Sequence, residues 1–214
     1  MALPKSATVL VAIVSLGGCA HRTAARDGGN VDTAQTAPLD WRKVATDRDR
    51  ERLRGWRDAW MAALPAARAA APEAIAAHPA LFDPDRALAT PLPPPGDYSC
   101  RTYKLGAARS GLRDFLAYPA YPCTVAREDN VLSLTRYGGS QRPVGLIFSD
   151  TATRGVFLGT LVLGNERSPL DYGRDRYRDM AGLVERIDDA RWRLVLPSPA
   201  FESKLDIVEI TPVG

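Results

Sequence analysis

A chain of 214 residues, 45% hydrophobic and 25% charged, carries enough apolar material for one sizeable core and no bias toward disorder. Its formal net charge of +3 becomes +2 once Lys5 is set aside with the segment expected to be removed, leaving 27 basic against 25 acidic residues. That near-balance argues against a nucleic-acid partner and against a membrane surface recognised by bulk charge. Arginine supplies 24 of the 28 basic residues, which suits bidentate recognition of carboxylate or phosphate and is also what a GC-rich genome produces.

Met1 to Lys5 is a short segment with one positive charge, followed by the apolar run Ala7 to Leu16. This is the pattern of an export signal, and the run is too short to span a bilayer. Leu16-Gly17-Gly18-Cys19 resembles a bacterial lipobox. The resemblance implies a lipoprotein signal peptide over residues 1–18 and a lipidated N-terminus at Cys19, where several acyl chains hold a protein at a bilayer as a single one would not. Ala20 stands where inner-membrane lipoproteins usually carry Asp, which implies a periplasm-facing protein of the outer membrane. Residues 19–39 lack apolar periodicity and read as a disordered tether that includes His21.

The chain has three cysteines. With Cys19 carrying lipid, Cys100 and Cys123 form the one possible disulfide, in a compartment that permits it. There is no Cys-x-x-Cys motif and no neighbouring histidine to generate a thiolate, so the expected role is structural.

Residues 40–95 read as a helical segment. Leu53, Trp56, Trp60 and Leu64 recur at helical spacing, with Thr46 as N-cap and Asp47 and Asp49 in the first turn. Arg48, Arg52, Arg54 and Asp58 form the opposite, solvated charged face. Docking of the tryptophans on the rest of the fold is the expected arrangement, and a helix lying on a membrane the alternative that mixed charge disfavours. Pro65 is expected to stop or kink this helix, with one or two short helices in the alanine-rich stretch 66–77. Asp83-Pro84-Asp85 suggests a single helical turn to Leu88, and Leu92-Pro93-Pro94-Pro95-Gly96 a stiff lead into the first strand. His78, beside Pro79, is read as structural.

From Gly96 to Gly214 the signals change to short β-branched and aromatic runs separated by turn residues. Strands are expected at about 97–105, 120–127, 130–136, 143–149, 154–163, 181–188, 190–197 and 204–211. Short turns at Glu128-Asp129-Asn130, Asp150-Thr151-Ala152 and Asp188-Asp189-Ala190 favour an antiparallel meander, and the fold class is α+β, mainly antiparallel β. An eight-stranded up-and-down barrel of lipocalin-like form would remove all exposed edges, and a half-barrel or sandwich capped by the helices fits the same pattern. Two loops interrupt the meander, Gly106–Ala117 inside the cysteine pair and the charged Gly164–Asp179, whose four arginines and four acidic residues are expected to pair with one another.

Several stretches together resemble a bacterial family, domain of unknown function 4893. They are Trp56 to Trp60, Pro95-Gly96-Asp97-Tyr98-Ser99-Cys100-Arg101 with Lys104-Leu105-Gly106, and Gly139-Ser140-Gln141-Arg142. Val156-Phe157-Leu158-Gly159, Tyr172-Gly173 with Arg178-Asp179, Arg191-Trp192-Arg193 and Pro197-Ser198-Pro199 continue the pattern. The resemblance spans about residues 40–212 and implies domain limits but no activity. A weaker one is to lipocalin-like barrels, including small disulfide-bearing inhibitors of bacterial metalloproteases, with Gly96-Asp97-Tyr98 where a lipocalin has Gly-x-Trp.

Catalytic patterns are sparse. The two histidines argue against a metal site or a Ser-His-Asp triad, and no cofactor motif occurs. Asp179, Glu185 and Glu202 are the carboxylates that a glycoside-hydrolase reading would draft. The expected function is a non-enzymatic envelope lipoprotein that binds a protein, cell-wall or lipid partner. A lipocalin-like carrier of a small apolar ligand and an envelope hydrolase are the alternatives. Tyr98, Arg101, Arg142, Tyr172, Arg178, Asp179 and Arg193 are the candidate binding residues, since arginine forks and aromatic faces suit an anionic partner. Strand parity puts Tyr98 opposite Arg101, and Trp192 opposite Arg193, so these cannot all line one cavity.

Overall fold

Eight antiparallel strands close on themselves in sequence order, each bonded to its neighbours, so that β1 pairs with both β2 and β8. The closed barrel, rather than a half-barrel, is the fold of this computed structural model, which describes residues 39–213. The expected signal peptide, the lipidation site Cys19 and nearly all of the tether lie outside the described residues. The strands are β1 (Gly96–Ala107), β2 (Phe115–Glu128), β3 (Val131–Arg136), β4 (Gln141–Ser149), β5 (Gly155–Leu163), β6 (Asp179–Asp188), β7 (Arg191–Pro197) and β8 (Ser203–Pro212). Every expected strand is present. The first two run on toward each other, which shortens the loop between them to residues 108–114.

Alternation sorts the side chains into two cores. The inward row holds Tyr98, Cys100, Cys123, Val125, Leu134, Ile147, Phe157, Val184, Trp192, Leu194 and Ile210. The outward row of β1 and of β5 to β8 holds Tyr103, Leu105, Val156, Leu158, Leu183, Val195, Leu205 and Ile207, and is covered by helices. The uncovered outer face of β2 to β4 presents Thr124, Ser133 and Thr135. Apolar residues inside and polar ones outside reverse the pattern of a lipid-facing barrel. Among the described residues no helix is long and apolar enough to cross a membrane.

Among the described residues four helices precede the barrel: α1 (Trp41–Val44), α2 (Asp47–Arg54), α3 (Trp56–Ala70) and α4 (Pro72–Ala76). Thr46 caps α2, accepting from the Asp49 N–H at 3.2 Å. The tryptophan helix is not continuous: Gly55 separates α2 from α3 and caps both. Trp60 is fully buried in the outer core, and Trp56 only partly, beneath the Arg154 guanidinium. Close docking of α3 depends on Gly106, whose φ is +66° and where a Cβ would stand 2.8 Å from the Ala63 Cα.

Two local expectations are corrected, and of the two outcomes expected at Pro65 the stop is excluded. Pro65 neither stops α3 nor ends its buried stripe, because Ala63, Leu64 and Ala67 are buried while Pro65 and Met61, four residues before it, are exposed. Pro65 therefore lies on the exposed side of α3, and packing of Ala63, Leu64 and Ala67 offsets the cost of the hydrogen bond it removes. Asp83-Pro84-Asp85 makes a turn rather than a helical one, and Leu88 instead bridges to Arg186. Nor is the polar face of α2 fully solvated: Asp49 and Arg52 are buried and paired at 2.8 Å, and Arg52 also donates to the Asp179 carbonyl at 2.7 Å.

Candidate functional site

The inward rows change character along the barrel axis. At one end Tyr98 and Trp192 meet edge to face at 6.0 Å between centroids, with Leu132, Ile147, Phe157 and Ile210 in the same cluster. Leu92 of the proline lead packs against this cluster. The Tyr98 hydroxyl donates to the Pro94 carbonyl at 2.6 Å and ties the lead across that end.

Toward the other end the same rows become polar. Beyond Cys100, β1 places Thr102 and Lys104 inward; beyond Leu134, β3 places Arg136; beyond Val208, β8 places Asp206. All eight strands contribute to the cavity that results, of about 290 Å³. Leu161, Met180, Leu196 and Val208 form its apolar wall, Tyr118 and Tyr121 its aromatic one, and Gly139 to Gln141 and Glu202 its rim. A smaller recess, lined by Arg52, Tyr177, Arg178 and Phe201, adjoins it through Lys104, Leu161, Met180 and Asp206.

Lys104 and Arg136 are both buried here, but in different circumstances. Lys104 Nζ lies 2.9 Å from Asp206 Oδ2 and 3.4 Å from Glu202 Oε2. Burial works against its charge, yet Asp206 and Glu202 outweigh that and hold Lys104 above the ordinary lysine value. Asp206 also accepts from the Ser203 hydroxyl, and burial pushes its carboxyl upward against the pull of Lys104. Arg136 donates to Thr102 Oγ1 and to the Gln141 carbonyl, each at 2.6 Å, and its guanidinium stands 5.2 Å from the centre of the Tyr121 ring. Its Nε has no acceptor, and no carboxylate lies within ion-pair distance among the described residues. Burial lowers the Arg136 pKa, and the charges that act on it are those of Tyr121 and Arg142. It is a buried cation without a counter-charge, the more costly of the two arrangements.

The seven binding candidates from the sequence fall in separate places. Tyr172, Arg178 and Asp179 do come together in the β5–β6 connection. The Tyr172 hydroxyl donates to Asp49 at 2.6 Å, burial raising its pKa, and Asp179 accepts from the Gly173 N–H at 2.9 Å, burial likewise raising its carboxyl. Arg178 donates to Glu166 Oε2 at 2.6 Å, and Arg142 donates to the carbonyls of Gly139, Gly164 and Glu166. Among the described residues Arg178 is the one arginine of the charged loop that pairs with its carboxylates, Glu166 and Asp175, and Arg178 and Asp179 border the recess at the mouth. Tyr98 lies at the filled end, and Arg101 is exposed on the outer wall, donating to the Tyr118 carbonyl. Arg193 is on the outer wall too, but wholly buried beneath residues 80–86.

Thr102, Lys104, Arg136 and Asp206 are absent from that set. Their signal was parity: once Cys100 and Cys123 mark the inward rows, polar residues an even number of positions away must also face in. The Cys100–Cys123 disulfide is formed, with a Cα–Cα distance of 5.8 Å. Among the described residues no group of three or more His, Cys, Asp or Glu side chains is arranged to hold a metal ion.

No curated protein and no solved structure matches the chain. The family described as Domain of unknown function (DUF4893) matches residues 41–210, from the first helix to β8. The chain belongs to this family.

Proposed function

We propose that the protein is a non-enzymatic binding module of the cell envelope, anchored through lipid on Cys19, whose barrel takes a small molecule into its polar end. The mouth cavity carries this reading: every strand supplies it, while the opposite end of the barrel is filled. In a barrel serving only as a scaffold, an inward guanidinium without a counter-charge costs desolvation that its bonds to two neutral oxygens offset only in part. A concave pocket that combines an apolar wall with convergent polar groups is a usual form of small-molecule site.

A wholly apolar ligand fits less well, since Lys104, Arg136 and Asp206 share the walls. The hydrolase reading has weaker support. Glu185 is fully buried between Arg154 and Arg193, Asp179 is bound by the Gly173 amide, and of the three drafted carboxylates only Glu202 lines the cavity. The lipobox-like Leu16-Gly17-Gly18-Cys19 supports anchoring, and Ala20 the outer membrane.

The test is purification from native membranes followed by mass spectrometry. A small molecule should co-purify with the natural chain and be lost from Met180→Trp, which fills the cavity. Equal yields from both would remove the cavity from the proposal, and an N-terminal peptide without acyl mass on Cys19 would remove the anchor.

A further inference from the structure

Resting on the reading of the mouth as a binding site, we propose that its ligand is a small monocarboxylate with a compact apolar tail, whose head is anchored by Arg136. Four observations converge on this. The guanidinium is 6% exposed and lines the cavity. Its hydrogen bonds go to neutral oxygens, Thr102 Oγ1 and the Gln141 carbonyl, and its buried Nε is unpartnered. A planar fork with a free N–H is the donor that a carboxylate matches best.

The charge of the ligand follows from the rest of the wall. Lys104 is already matched by Asp206 and Glu202, so the cluster around it carries one net negative charge. The wall as a whole then sums to zero, but Arg136 itself has no carboxylate within ion-pair distance among the described residues and keeps an unmatched local charge. A monoanion neutralises it; a phosphate dianion would bring excess charge toward Asp206 and Glu202 in a poorly solvated space. A cationic head would face Arg136 itself.

Size and polarity set the tail. At roughly 30 Å³ per water, about 290 Å³ holds about ten non-hydrogen atoms. Leu161, Met180, Leu196 and Val208 offer the tail an apolar wall, and the thioether of Met180 can adapt to its shape. A long acyl chain would have to leave through the rim, which Arg142 ties to Gly139, Gly164 and Glu166.

The experiment is a calorimetric titration of the full chain with 3-phenylpropionate, 3-phenylpropan-1-ol and 3-phenylpropylamine, matched in size and differing in head charge. Methyl NMR of Met180 reports whether each one enters the cavity. The acid should bind at least tenfold more tightly than the alcohol, and the amine should not shift Met180. Arg136→Gln should abolish that preference while leaving the alcohol affinity within twofold. Because the head-group series is run on the natural protein, the result stands even if the variant folds poorly. Acid and alcohol binding equally, with Met180 shifted by both, would overturn the carboxylate anchor and leave the cavity reading intact. No shift of Met180 by any of the three would overturn both.

Discussion

Glu185 and Arg193 face each other directly across β6 and β7, on the outer wall of the barrel, and neither has any exposure to solvent. Arg193 Nε donates to Glu185 Oε2 at 2.8 Å, and the rest of its fork donates to the carbonyls of Leu81, Asp83 and Arg86 at 2.7 to 2.9 Å. One side chain therefore collects the backbone carbonyls of a segment that forms no helix and holds it against the sheet. Trp60 packs on the same guanidinium, 5.1 Å from ring centre to Cζ. Arg193→Leu should lower unfolding stability by about 3–5 kcal/mol, the usual cost of stripping one partner from a buried pair, and urea denaturation measures it. Limited proteolysis should then cut within residues 80–86 first; cleavage elsewhere at natural rates would refute the clamp.

The disulfide joins adjacent inward rows of β1 and β2 across 23 positions of sequence. Loop-closure entropy assigns such a crosslink about 3 kcal/mol. The double variant Cys100→Ala/Cys123→Ala should show that loss, and reductant should destabilise the natural chain and leave the variant unchanged. A melting temperature insensitive to reductant would show that the bond constrains nothing.

Gly145 and Gly159 lie opposite each other on β4 and β5, and the Phe157 ring folds over both. A Cβ would stand 2.8 Å from Phe157 Cζ at Gly145 and 2.6 Å at Gly159. The ring occupies the space that side chains at these positions would need. Gly159→Ala should cost about 1–3 kcal/mol through overpacking, read by thermal unfolding. The Val144 carbonyl oxygen would stand closer still to a Cβ at Gly159, so a neutral effect would mean that the ring and the β4 backbone both give way.

Alkaline pH should weaken the fold. Burial, and after it the charge of Glu209 that accepts the hydroxyl at 3.0 Å, pushes the Tyr103 pKa up to about 12. Burial raises Tyr98 and Tyr172 as well. A tyrosine in the unfolded chain ionises near pH 10, so these groups hold their protons more tightly when folded. The contribution of Tyr103 is complete below about pH 10 and disappears as pH rises through about 12, and Tyr98 and Tyr172 act in the same direction. Lys104, also raised, acts in the same direction. Urea unfolding should show a stability plateau that falls over this window, with a shallower fall in Tyr103→Phe. Absorbance titration finding Tyr103 ionised at about pH 10 would contradict the assignment.

The strand pattern was legible because alternation and turn residues act locally. Leu132 and Leu134, or Trp192, Leu194 and Leu196, declare a half-buried strand without reference to any neighbour. Helix boundaries were less so. The residues that overrode the break at Pro65 and the turn at Asp83 are Ala67, buried on the sheet, and Arg193, more than a hundred positions downstream. The binding candidates were chosen for residue type, which favoured Arg142 and Arg178; both are occupied with loop carbonyls or Glu166.

By itself the sequence determined eight antiparallel strands and the helical segment ahead of them, since each follows from spacing along the chain, and it paired Cys100 with Cys123 once the lipobox resemblance set Cys19 aside. Only the tertiary structure decided that the sheet closes, because closure depends on β1 bonding to β8 about a hundred residues away. It also decided which arginine matters. Arg193 and Arg136 look alike in sequence, but a cation's role is set by the charges that reach it through low-dielectric protein. Arg193 finds Glu185 on the next strand, and Arg136 finds no carboxylate within ion-pair distance among the described residues.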